Sequence, residues 1–309
     1  MTESAVPHPK PGELLVRVLD LSIDPYLRGA IAGRHIGSAP IRVGDVVPGR
    51  AVARVEVAAG PFQAGDLVVA ETGWQDRAAV PATAAEPVDV PPGVRPSAVL
   101  GVLGMPGLTA YAAVTRFMRL TPGDTVVVSA ATGAVGATAG QLAALAGGRV
   151  VAIVGGPRKA RLALEEFGYA AAVDRLAPDW REHLSTCAPH GVDAYLDNAG
   201  GEVLAGVVSQ LAIGGRVVLC GLMSQYNDGP PTTLPAGTLI GRRANVHGLV
   251  VYDHEDLRPR FRAHVGSLLR RGELRYHEDR RVGLAAAPAA FCDLMSGRNV
   301  GKVVVEVST

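Results

Sequence analysis

Two short stretches of the chain combine small residues and cations at a spacing that suits the binding of an anion. In "TVVVSAATGAVGATAGQLAAL", residues 125 to 145, an apolar strand passes through a turn bearing Gly133, Ala134, Val135 and Gly136 into an alanine-rich helix. The next strand, "VVAIV", ends in "GGPRKAR", where Arg158 and Lys159 follow a Gly-Gly-Pro turn. Backbone amides at a helix start face an anion directly, so the first stretch could cradle a phosphate.

Gly133 and Gly136 occupy the second and third glycine positions of the dinucleotide-binding fingerprint, and Ala131 stands at the first. The second glycine lets backbone approach a pyrophosphate, and the third lets the helix pack close to the strand. Alanine at the first position is compatible provided φ stays negative there. Alone, the motif serves equally well as a small-residue junction packing a helix on a sheet.

The second stretch adds a discriminator. A protein reading a ribose 2′-hydroxyl carries Asp or Glu at the end of that next strand. No carboxylate stands there; Arg158 and Lys159 sit where a 2′-phosphate would lie, which favours NADP over NAD. The competing reading is a solvated basic helix start, slightly unfavourable against the helix dipole. Lysine is scarce in this chain, with only Lys10, Lys159 and Lys302 against 27 arginines, so a random surface cation here would more readily be arginine.

The elements that must position these residues follow from pattern. From residue 12 to about 90, β-branched runs such as "ELLVRVL", "RAVARVEV" and "DLVVAETGW" alternate with Gly, Pro and Asp turns, predicting antiparallel or barrel-like β structure. "PSAVLGVLGMPGLTAYAAVTRFM" is alanine-rich without strand alternation and predicts a helical entry to a second domain. Beyond Asp124, the strands "TVVVSA", "RVVAIV", "AAVD", "VDAYLDN" and "GRVVLCG" are separated by helical stretches including "RKARLALEEFG" and "EVLAGVVSQLA". Such alternation predicts a parallel sheet covered by helices on both faces, an α/β doubly wound fold. Helices at "VGSLLRRGEL" and near 286 to 297 and a last strand, "GKVVVEV", predict a return to the β-rich start. The expected division is 1–102, 103–265 and 266–309.

Composition narrows the classes. At 309 residues two domains are expected, and 48% hydrophobic residues with a net charge of +1 describe a globular protein with no one-sided field for nucleic acid. Cys187, Cys220 and Cys292 are far apart and odd in number, arguing against a disulfide framework or clustered zinc site and for a reducing compartment. "MTESAVPHPKPGE" lacks the pattern of a secretory signal, and "AVLGVLGMPGLTAYAAV" falls short of a membrane span. A cytoplasmic protein is expected.

The ordered motifs "LSIDPYLRG", "GWQDRAAVP", "LGMPGLTAY", "SAATGAVG", "GGPRK", "DNAGGEVL", "CGLMSQYN" and "NVGKVVVEV" resemble the zinc-independent medium-chain dehydrogenases/reductases. Within them the chain is most similar to the prostaglandin reductase, or leukotriene B4 12-hydroxydehydrogenase, branch, with its plant double-bond reductases and bacterial curcumin-type reductases. The resemblance spans nearly the whole chain. It implies a Rossmann domain plus a GroES-like β-barrel domain, a homodimer, and NADPH-dependent reduction of the C=C bond of α,β-unsaturated ketones or aldehydes. Also implied are pyrophosphate contacts from Gly133, Ala134, Val135 and Gly136, and a 2′-phosphate contact from Lys159. Further cofactor contacts would come from Asn198, from Cys220, Gly221, Leu222, Ser224 and Tyr226, from Leu249, Val250 and Val251, and from Asn299, with Thr109 near the nicotinamide carboxamide. Two departures stand out. Arg175 occupies the place of a tyrosine usual beside the 2′-phosphate, where it could pair bidentately with phosphate or simply lie on the surface. The sequence also begins roughly 20 residues later than such relatives, which puts the opening strands and the substrate pocket in question.

Reducing an activated alkene needs a donor for the charge that builds on the carbonyl oxygen, and a neutral one suffices. Tyr226, just past a strand's carboxyl end, is suited to that role, with Tyr26 of "DPYLR" as second donor or pocket wall. For each, an amphipathic packing role is the alternative. Quinone reduction and hydride-triggered cyclisation share the same geometry, and an idle NADP-binding protein is the reading from another class. Zinc is disfavoured: the stretch before residue 90 has no cysteine, His8 and His35 lack a ligand partner, and His247, His254, His264 and His277 match no usual metal spacing.

Overall fold

A computed structural model describes residues 2–34, 40–227 and 229–308. His35 lies outside the described residues. The chain divides into two compact units, 1–100 with 278–309, and 101–277.

The first unit opens with β1 (Glu13–Ser22), the short helix α1 (Leu27–Ile31), β2 (Arg50–Val57), β3 (Leu67–Glu71), β4 (Arg77–Pro81) and β5 (Glu86–Pro87). In the second unit α2 (Met105–Ala112) leads to β6 (Thr125–Ser129), α3 (Ala134–Leu145), β7 (Arg149–Val154), α4 (Pro157–Glu165), β8 (Ala171–Asp174) and α5 (Trp180–Cys187). It continues through β9 (Val192–Asp197), α6 (Gly201–Val208), β10 (Leu211–Leu219), α7 (Ala236–Arg242), β11 (Asn245–Gly248) and α8 (Arg258–Arg270). The chain then returns to the first unit with β12 (Glu278–Val282), α9 (Ala287–Met295) and β13 (Lys302–Glu306).

The second unit is built on a parallel sheet in the order β11-β10-β9-β6-β7-β8. Read from the β8 edge, with β6 as the first strand, this is the 3-2-1-4-5-6 order of the doubly wound dinucleotide fold. The central strands are apolar nearly throughout, as a sheet covered on both faces requires: Val126, Val127 and Val128 of β6 and Val151 and Ala152 of β7 are wholly buried. Trp180, Leu184, Leu204 and Val207 pack against Val127, Ile153 and Tyr195.

The first unit carries a mixed sheet in the order β12-β13-β1-β2-β3-β5, with β4 also pairing β1. Leu14, Val16, Ala53, Val55, Val68 and Val80 form one core cluster, and Val18, Leu21, Ile23, Ala51, Ala287, Val303 and Val305 another. The "GKVVVEV" strand does return here, pairing β1 antiparallel.

Local expectations needed revision. The helix expected over 202–212 stops at Val208, because Leu211 pairs in register with Val192 and is drawn into the sheet. The helical entry is broken into a 3-10 turn at Pro96–Leu100, then α2, then a wide turn at Ala113–Met118. α8 runs across residue 266 and belongs to the second unit. β12, "EDRRV", has no apolar alternation to announce it. It is held by ion pairs, Arg280 bonding Asp20 at 2.7 Å and Glu306 at 3.0 Å.

Candidate active site at the carboxyl ends of the parallel strands

The turn after β6 departs from ordinary backbone at one residue. Ala130 adopts φ +48°, in the left-handed region that alanine enters at a cost of about 1–2 kcal/mol. Ala131, at the fingerprint's first position, keeps a negative φ and is fully buried. The strain therefore falls one residue earlier, and the condition for alanine at 131 is met. Gly133 is extended at φ −74°, ψ 172° and caps α3, its amide bonding the Ala130 carbonyl at 2.9 Å. Gly136 permits the close packing expected of a third glycine: a Cβ there would meet the Ala130 oxygen at 2.4 Å and the Ala131 Cα at 2.8 Å. The amides of residues 134–136 come before Ala137, whose amide is the first to donate within the helix, to the Gly133 carbonyl, and so have no partner within it.

At the end of β7, the Gly155–Gly156–Pro157 turn carries exposed Arg158 and half-buried Lys159 at the start of α4. Arg175 comes to the same turn from β8. Its amide bonds the Val154 carbonyl at 2.9 Å, and its guanidinium lies 3.6 Å from where a Gly155 side chain would begin. Arg175 thus lies against the turn that Arg158 and Lys159 directly follow. The turn is shaped by a residue the sequence reading missed, Asp174, whose carboxylate accepts from the amides of Gly156 at 2.9 Å and Leu176 at 3.0 Å.

The ends of β9 and β10 are tied by a buried polar network. The Asp197 carboxylate accepts from Tyr195 Oη (2.6 Å), Ser129 Oγ (3.0 Å) and the amides of Ala199 (3.2 Å) and Gly200 (2.9 Å). Burial nevertheless pushes this carboxyl above its ordinary range. Asn198 is fixed by Ser129 twice, its amide donating to Oγ and its side chain to the carbonyl, each at 2.8 Å. The amides of Cys220 and Gly221 bond the Asp197 carbonyl at 2.8 and 3.1 Å. Burial, with the Asp197 charge nearby, pushes the Cys220 thiol up to about 12. Ser129, Tyr195 and Asp197 were also missed; only "DN" at a strand end pointed toward them.

Beyond β10, Leu222 leads into a short turn, Met223–Gln225, in which the Ser224 amide bonds the Ala199 carbonyl at 2.9 Å. Tyr226 follows, half-buried, its phenol facing the Leu222 backbone amide and close to Cys220. Burial raises its pKa, so the hydroxyl keeps its proton. An oxygen that accepts from a backbone amide still has that proton to donate. Leu249 bonds the Leu219 carbonyl at 2.9 Å just past β11, with Val250 exposed and Val251 buried beside it.

Gly133 to Gly136, Arg158, Lys159, Arg175, Asn198, Cys220 to Ser224, Tyr226 and Leu249 to Val251 therefore all lie just past strand ends in the second unit, where open α/β sheets bind ligands. Thr109 is buried on α2 with its hydroxyl donating to the Met105 carbonyl at 2.8 Å. Tyr26 and Asn299 belong to the first unit. Tyr26 is half-buried ahead of α1, and Asn299 is buried with its side-chain amide on the Gly301 carbonyl at 2.9 Å. Among the described residues no group of three His, Cys, Asp or Glu side chains could hold a metal ion. His247 and His254 pack against Phe117, each at 5.3 Å between ring centres, and His264 meets the Tyr111 ring at 5.9 Å.

Residues 134–265 match the family described as zinc-binding dehydrogenase, and residues 1–88 the N-terminal domain of oxidoreductase. The chain is 37% identical to NADPH-dependent curcumin reductase of Escherichia coli over 100% of its own length and 91% of that protein's. It is 37% identical to the NADP(+)-dependent 2-alkenal reductase of Nicotiana tabacum over 96% of its length and 88% of that protein's. CurA of Vibrio vulnificus, solved in complex with NADPH, superposes with a TM-score of 0.94 at 36% identity, covering 100% of this chain and 94% of that one. A doubly wound unit paired with a GroES-like one is the architecture of the medium-chain dehydrogenases/reductases. The chain belongs to that family, in the branch of the curcumin and prostaglandin reductases.

Proposed function

We propose that the chain is an NADPH-dependent reductase that delivers hydride to the β carbon of an activated C=C bond in an α,β-unsaturated ketone or aldehyde. The observation that carries this reading is the placing of Arg175 against the Gly155–Gly156 turn that Arg158 and Lys159 follow at the start of α4, next along the sheet from a helix start packed so closely on the β6 turn that residue 136 must be glycine. The residues fit the nucleotide. Gly133 lets a pyrophosphate approach the amides of residues 134–136, which come before the first intrahelical donor, and the three cations suit a 2′-phosphate. Asn198, Cys220 to Ser224 and Leu249 to Val251 line the remaining strand ends.

Bound NADPH supplies the hydride. The chain supplies the polarisation: the Tyr226 phenol, held protonated, donates to the substrate carbonyl oxygen as negative charge gathers there. Thr109 is proposed to meet the carboxamide through its hydroxyl oxygen, whose proton is already committed to Met105. Water supplies the proton taken up by the α carbon, so no dedicated acid is required.

We also propose a homodimer along the β11 edge of the parallel sheet, where exposed Ile240 precedes the edge strand, and a reducing cytoplasmic setting for the three free thiols. Among the described residues no helix is long and apolar enough to cross a membrane.

NADPH oxidation in the presence of small enones, enals and quinones tests the reading. Turnover on the conjugated carbonyls supports it, and tight NADPH binding without turnover on any of them refutes it. Lys159→Ala should weaken NADPH by about 10- to 100-fold, the worth of one charge-assisted contact, and leave NADH nearly unchanged. Equal losses for the two nucleotides would remove the cofactor argument.

A further inference from the structure

Tyr169 stands outside every role assigned above. It follows α4 with its backbone amide on the Ala163 carbonyl at 3.1 Å, and its side chain is buried beneath the turn between β6 and α3. Its hydroxyl lies 2.8 Å from the Gly136 carbonyl and 3.2 Å from the Ala131 carbonyl. A phenol has a single proton, so the bond is shared between two acceptors. Those acceptors bracket the amides of residues 134–136, which are the ones offered to the pyrophosphate.

The surroundings are cut to receive this ring. A Cβ on Gly140 would stand 2.1 Å from the hydroxyl and 2.2 Å from Cζ, so only glycine leaves room for it. The turn it supports needs support, because Ala130 is held in the left-handed region at φ +48°. Strained backbone of this kind persists when its surroundings over-determine it. Burial keeps the phenol protonated, and therefore a donor, at every working pH.

We propose that Tyr169 is a positioning residue for the cofactor: its hydroxyl clasps the two ends of the pyrophosphate turn from behind and holds the amides of residues 134–136 in their binding geometry. The clasp also joins the two halves of nucleotide recognition, since the helix that begins at the 2′-phosphate cations Arg158 and Lys159 ends beside Tyr169. This inference rests on the NADPH reading above.

Tyr169→Phe removes the oxygen and little else. Binding of NADPH, of 2′-phospho-ADP-ribose and of 2′-AMP is measured by calorimetry on wild type and variant. The first two carry the pyrophosphate and should weaken about three- to tenfold, the worth of one hydrogen bond. 2′-AMP lacks the pyrophosphate and should bind the variant as it binds wild type, which also reports that the variant is folded. Unchanged NADPH affinity overturns the proposal. So does an equal loss for 2′-AMP or a failure of the variant to fold, since the hydroxyl would then support the whole unit rather than the turn. Failure of the underlying reading looks different: wild type itself would bind none of the three.

Discussion

Gly133 and Gly136 make the sharpest test of how the turn works, because the same added methyl group should act differently at the two positions. At Gly136 a Cβ would lie 2.4 Å from the Ala130 oxygen and 2.8 Å from the Ala131 Cα, about 1 Å inside ordinary contact, and the atoms it meets are backbone. Overpacking of that kind costs about 1–3 kcal/mol, and in a unit of this size each kcal/mol lowers Tm by about 2–4 °C. At Gly133 the nearest atom is the Ala130 oxygen at 3.2 Å, and the backbone at φ −74°, ψ 172° is open to any residue. Gly133→Ala should therefore melt within about 2 °C of wild type while NADPH binds at least tenfold more weakly, because the methyl keeps the pyrophosphate from the amides. Gly136→Ala should lose both stability and affinity. Melting followed by dye fluorescence and NADPH titration by fluorescence enhancement give the two readouts. A Gly133→Ala protein that binds NADPH like wild type, or that melts as low as Gly136→Ala, would refute the assignment of a ligand-facing glycine and a packing glycine.

Two further outcomes follow from buried groups. Lys302 is 6% exposed and donates to Asp24 Oδ1 at 2.6 Å and to the Ile23 carbonyl at 3.0 Å, while Ser22 bonds the other Asp24 oxygen. Lys302→Met strands the Asp24 charge and should cost about 3–5 kcal/mol by denaturant titration, most of it recovered in the Asp24→Asn, Lys302→Met double variant. For Tyr226, the raised pKa favours the protonated donor, so kcat should show no alkaline limb below about pH 10. A limb below that pH which disappears in Tyr226→Phe would contradict the donor role.

Much of the second unit was legible because its signals are local. The valine run of β6 buries both faces, the small residues that follow mark the turn, and the cations of "GGPRK" stand within a few residues of the strand they follow. What escaped was carried by distant partners. Tyr169 acts on carbonyls 33 and 38 residues earlier, and Lys302 on a carboxylate 278 residues away, so neither has a neighbour in sequence to betray it. Arg175 could be read only as a surface residue or a phosphate ligand until β8 was seen to bring it onto Gly155. β12 was missed because its strand identity rests on charge pairing with β1 and β13 rather than on alternating apolar residues.

The sheet of the first unit has a bearing on how the protein is made. β13 lies between β12 and β1, so β1 to β5 leave the ribosome with one side of β1 still unpaired near its end, and that gap closes only when β13, about 280 residues later, arrives. The intervening 177 residues can fold on their own contacts meanwhile, which makes closing the first unit a late, long-range step in biogenesis. Shortening the chain by its final strand would then leave β1 with an open edge on which another newly made copy could pair.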